Sequence, residues 1–137
     1  MKIVLDTNCL LPSIFCSSPY YWVWEAFCEG KFSLCCTTDI LQEYAEMLSV
    51  FYSPEISESI TDTIINAVNT EQIIPYYKWN LIFNDADDNK FVDCALNAGA
   101  DFIVTNDKHF NVLKYIDFPS MQVVNIEGFK EILWALH

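Results

Sequence analysis

Four carboxylates in this sequence stand where apolar segments end or helical segments begin. Asp6 directly follows Ile3-Val4-Leu5, Asp107 follows Phe102-Ile103-Val104-Thr105-Asn106, Asp88 opens one helical segment, and Glu43 lies one turn into another. Taken singly, each has an ordinary explanation. Asp at a strand end favours turns, Asp at a helix start stabilises it by about 0.5–2 kcal/mol, and a Glu beside an apolar helix face is commonly solvated. Together, in a chain that alternates strands and helices, they suggest one site. Two unit charges about 4 Å apart repel by roughly 4 kcal/mol at an effective dielectric of 20, so an acidic cluster calls for a cation. All-oxygen ligation suits Mg2+ or Mn2+. Such an ion activates a water and neutralises charge on a phosphate oxygen, so no Ser, Cys or His nucleophile is needed.

The elements that must position these acids can be read from apolar spacing. Lys2 to Leu5 reads as a strand, Tyr20 to Glu29 as an aromatic helix stopped at Gly30, and Phe32 to Cys36 as a buried strand. Asp39, with Gln42 at the capping-box position, is expected to cap a helix bearing Ile40, Leu41, Tyr44, Met47 and Leu48 on one face. Ser53-Pro54 starts the next helix. Ile73-Ile74-Pro75 reads as a short edge strand followed by an aromatic loop through Trp79. Asp88 to Ala98 is then a helix stopped by Gly99, Phe102 to Thr105 a strand, and Val123 to Ile126 another, leading into a final helix from Glu127, with a short helix between those two strands. This order predicts a three-layer α/β/α fold with a mainly parallel central sheet, in one domain spanning residues 1–137. In such sheets ligands gather beyond the carboxyl ends of the strands, where Asp6 and Asp107 fall.

The 137 residues, 53% of them hydrophobic, suffice for one buried core. The start of the chain lacks the apolar stretch of a signal peptide, and no apolar run is long enough to span a bilayer, which predicts a cytoplasmic protein without membrane contact. The six cysteines are therefore expected to be free thiols behaving as small hydrophobes. Neither Cys35-Cys36 nor the two histidines, His109 and His137, has the paired spacing of a zinc site. A net charge of -12, with lysine the sole basic residue type, opposes nucleic-acid binding through bulk charge. Bound metal and a basic partner would offset part of it.

Four blocks in order along the chain resemble the PIN-domain ribonucleases, in particular their bacterial toxin-like branch. They are Val4-Leu5-Asp6-Thr7-Asn8, Ile40-Leu41-Gln42-Glu43-Tyr44, Asp88-Asn89-Lys90-Phe91 through Ala98-Gly99-Ala100-Asp101, and Val104-Thr105-Asn106-Asp107. The resemblance implies a catalytic Mg2+ or Mn2+ site built from Asp6, Glu43, Asp88 and Asp107, with Asn8 and Thr105 as supporting polar residues, that hydrolyses RNA. It further implies a small antitoxin as inhibitory partner and a homodimer. Asp85, Asp87 and Asp93 crowd the same segment as Asp88. Asp88 is favoured because the family's third acid opens the helix that ends near Gly99. Asp93, about 140° further round that helix, is the reserve ligand.

Other chemistries fit less well. An EF-hand reading of Asp85 to Asn89 fails at Lys90, where the loop needs Gly, and at Leu96, where it needs Glu. An aspartyl phosphatase would want an acid where Asn8 stands. A non-catalytic protein-binding module on the same fold is the alternative, favoured if the aromatics Tyr20, Tyr21, Trp22 and Trp24 are exposed. Under the metal-site reading, the four acids converge within a few Å and like charge raises their pKa values. Neutralising any of them then leaves the fold intact or more stable, whereas Asp85→Asn does little.

Overall fold

Every side chain from Ile3 to Leu5 is almost fully buried, although neighbours along a strand point to opposite faces. Both faces of the strand are therefore covered, as in the layered α/β arrangement. In the computed structural model, which describes residues 1–82 and 86–137, this strand, β1 (Lys2–Leu5), is the centre of a five-stranded sheet. The others are β2 (Ser33–Cys36), β3 (Thr70–Gln72), β4 (Phe102–Val104) and β5 (Val123–Val124). Their order is β3-β2-β1-β4-β5, and every pairing is parallel. The chain moves outward from β1 to β3, then returns to β4 on the other side of β1. This reversal leaves a crevice at the carboxyl ends of β1 and β4.

The helices are α1 (Thr7–Leu10), α2 (Tyr21–Cys28), α3 (Thr38–Phe51), α4 (Pro54–Asn66), α5 (Asn89–Ala98) and α6 (Ile126–Leu136). Helices α2 and α6 meet through Trp22 and Phe129, whose ring centroids are 5.7 Å apart, and Phe129 packs edge-on against Phe32. Helix α5 lies across β1, β2 and β4. Its C-terminus is closed by Gly99 at φ 65°, a left-handed conformation that only glycine adopts without strain.

Two sequence expectations are corrected here, and the ordinary explanation of Asp88 as a helix cap falls away. The cap of α3 is Thr37, whose Oγ1 accepts from Ile40 N–H at 3.2 Å, while Asp39 sits exposed in the first turn. Thr37 alone has the extended backbone that a capping residue needs. The edge strand is Thr70–Gln72 and not Ile73 to Pro75, because the Asn69 amide bonds to the Phe27 and Phe32 carbonyls and starts the pairing earlier. Asp88 does not cap α5 with its side chain. It closes a short 3-10 turn, Ala86–Asp88, with helical backbone angles.

Candidate metal centre

The parallel register sets Leu5 beside Val104, so the first residues beyond both strands are neighbours. The Asp6 N–H extends the ladder by donating to Val104 O at 3.0 Å. Its carboxylate is nearly buried, 5% exposed. Oδ2 accepts from Thr105 Oγ1 at 2.7 Å, and Oδ1 accepts from the backbone of Asn8 at 3.5 Å. Thr105 Oγ1 in turn accepts from Asp107 N–H at 3.0 Å. One buried hydroxyl thus locks both strand-end acids into a fixed relation. The contribution of Asn8 comes from its backbone, its side chain being exposed.

Asp107 caps the 3-10 helix Lys108–Tyr115, its Oδ1 accepting from His109 N–H at 2.9 Å. That helix is pinned by fully buried Phe110, which meets Phe91 of α5 edge-on at 6.5 Å. The aromatic contact brings the start of α5, and with it Asp88, against the Asp107 turn. His109 Nδ1 then stands 3.5 Å from Asp107 Oδ1 and 3.7 Å from Asp88 Oδ2. Among the described residues, Asp88, Asp107 and His109 form the group whose metal-ligating atoms all lie within 4.8 Å of one another. The sequence reading expected four acids in that tight cluster and missed His109. Two carboxylates and an imidazole are a donor set that fits a divalent ion.

Glu43 approaches from α3, which the buried Tyr44 hydroxyl fastens to the end of β1 through the Leu5 carbonyl. Its carboxylate accepts from Thr7 Oγ1 and pairs with Lys90 Nζ at 2.5 Å. The sequence reading treated Glu43 as a source of repulsion and gave Lys90 no role in the site. In this structure Glu43 is neutralised by Lys90, both side chains being about one quarter exposed. Glu43→Gln in metal-free protein should therefore cost about 1–2 kcal/mol of stability, read from urea denaturation. A gain in stability would contradict the pairing.

Asp93, the reserve ligand, is used elsewhere. Its Oδ1 accepts from Trp79 N–H at 3.0 Å, holding the aromatic loop to α5. Asp87 is exposed and lines an open acidic groove with Asp39, Gln42, Glu43, Glu46 and Lys90. Asp85 lies outside the described residues.

Burial raises the Asp6 carboxyl above its ordinary value of 3.8, against hydrogen bonds from Thr105 and Asn8 that lower it, and the charges of Asp107 and Glu43 add to the rise. Desolvation outweighs the like-charge repulsion expected from sequence. Nearby Cys9 is pushed to about 12, chiefly by burial, so its thiol stays neutral and offers no competing nucleophile. Since Asp6 binds its proton more tightly folded than unfolded, its ionisation destabilises the metal-free fold. Stability attributable to Asp6 falls as pH rises through the window between 3.8 and its raised value. Asp6→Asn should accordingly be more stable than wild type at pH 7 in EDTA, with the gap closing at acid pH. A gap independent of pH would show that Asp6 is not responsible.

A family model described as PIN domain matches residues 2–109. Among solved structures, the chain is similar to one in the crystal structure of VapBC2 from Rickettsia felis bound to a DNA fragment from its promoter, with a TM-score of 0.64 and 20% identity over 91% of this chain and 98% of that one. It is also similar to one in DNA-bound VapBC from Salmonella typhimurium, with a TM-score of 0.60 and 17% identity over 92% and 98%. At these identities the likeness establishes the fold. No curated protein matches the sequence.

Proposed function

Since this chain belongs to the PIN domain family, we propose that it is a metal-dependent endoribonuclease of a single domain, the toxin of a toxin–antitoxin pair, with Asp6, Asp88 and Asp107 as metal ligands. The observation that carries this reading is the Asp6–Thr105–Asp107 chain of hydrogen bonds at the carboxyl edge of β1 and β4, with Asp88 facing Asp107. A divalent ion held by Asp6, Asp88 and Asp107 would supply the chemistry of water activation and of charge neutralisation at a phosphate.

The remaining work belongs to the chain's own residues. Thr105 holds Asp6 and Asp107 in register, so little reorganisation is needed on binding. Lys90 pairs with Glu43 and orients it beside the site, and its ammonium is a cation that a substrate phosphate could meet there. Asn8 and Thr105 act as positioning residues.

The acidic groove beside Glu43 suits a small antitoxin that offers an arginine, which binds carboxylates in a fixed fork. Membership of the VapBC neighbours in complexes supports such a partner, and we extend the reading to a homodimer in the cytoplasm. Among the described residues no helix is long and apolar enough to cross a membrane. The rival binding module draws little support from the first aromatic stripe. Trp22 packs on Phe129 and Trp134, and Trp24 packs on Phe27.

Single-stranded RNA incubated with the protein and Mg2+ or Mn2+ should be cut at internal bonds, and EDTA or Asp6→Asn should prevent it. RNA left intact with both ions would overturn the nuclease reading and favour the binding module.

A further inference from the structure

Resting on that metal-site reading, we propose that His109 is itself a metal ligand beside Asp88 and Asp107, and that its imidazole makes the site favour Mn2+ over Mg2+. The ring nitrogen Nδ1 faces one oxygen of each carboxylate at 3.7 and 3.5 Å. Those separations exceed the ordinary 2.7–3.2 Å of an N–H···O bond. The ligand atoms of all three residues lie within 4.8 Å of one another, close enough to reach one ion.

The position of His109 is fixed by its own segment. Its backbone N–H is bonded to Asp107 Oδ1, and the next residue, Phe110, is wholly buried against α5. The imidazole is about half exposed, which leaves it room to turn onto an ion. An imidazole nitrogen changes what the site prefers. Mg2+ is a hard ion that takes oxygen ligands and keeps its waters, whereas Mn2+ and its neighbours in the transition row accept nitrogen. A carboxylate-only site would discriminate less.

The test uses full-length protein stripped with EDTA and titrated with Mn2+ alone, bound ion being followed by electron paramagnetic resonance. Mg2+ affinity is read by displacement. Wild type should show pulsed-resonance nitrogen modulation from one imidazole, and His137→Gln should retain it. His109→Gln, which preserves the backbone bond to Asp107, should lose the modulation. It should also weaken Mn2+ by about tenfold or more, and Mg2+ by less than about threefold, lowering the selectivity ratio.

Mn2+ bound without nitrogen modulation would overturn the assignment of His109 while leaving the carboxylate site standing, as would equal weakening of both ions in His109→Gln. Failure of wild type to bind Mn2+ at all would overturn the assignment and the metal-site reading together.

Discussion

Asp88→Asn and Asp107→Asn are each expected to slow metal-dependent RNA cleavage by about 100-fold or more while leaving the folded state at least as stable as wild type. The direction follows from what each carboxylate does in the fold. Asn caps helices as well as Asp does, so Asp107→Asn keeps an oxygen for the His109 N–H. Asp88 is 8% exposed and contributes no side-chain cap to α5. In both cases one member of a closely spaced acidic pair loses its charge, which relieves repulsion in the metal-free protein. Cleavage rates in Mg2+ and Mn2+, measured beside thermal midpoints, check this. Variants that lose stability and keep cleavage would mean that the acids only hold turns together.

The second large effect is on stability in the presence of metal. An ion that binds the folded chain and not the unfolded one stabilises it by about 2.7 kcal/mol at a concentration of 100 times Kd. For a chain of this size that corresponds to a rise of roughly 10 °C in the thermal midpoint. The same ion should do almost nothing for Asp88→Asn/Asp107→Asn, whose ligand set is broken. Scanning fluorimetry of both proteins with and without Mn2+ reads the difference. An equal rise in the double variant would place the ion elsewhere on a surface that carries net charge -12.

The neighbouring places of Asp6 and Asp107 at the strand ends were legible from sequence because a parallel sheet brings the ends of its central strands together, and short apolar runs followed by polar residues mark those ends. Asp88 was legible through the helix that Gly99 stops. The same rule sets Asp93 apart, and in the fold that side chain bonds Trp79.

What escaped the reading depends on contacts between elements distant in sequence. His109 stands two residues beyond Asp107 and is bonded to it, yet it is the packing of Phe91 on Phe110 that brings Asp88, from the start of α5, to the pair. Lys90 had no role in the site as read from sequence, yet α3 delivers Glu43 to it across 47 positions. The choice of Thr37 over Asp39 as the α3 cap was also hidden, since both residue types cap well and only backbone angles separate them.

On the proposed reading, Asp6, Asp88 and Asp107 hold divalent metal at the carboxyl edge of β1 and β4. Its most direct test is anomalous diffraction at the manganese edge from crystals of the metal-stripped protein soaked in Mn2+. The expected result is an anomalous peak bonded to carboxylate oxygens of at least two of these three residues. Peaks confined to the exposed acidic surface, or none there at saturating Mn2+, would contradict it.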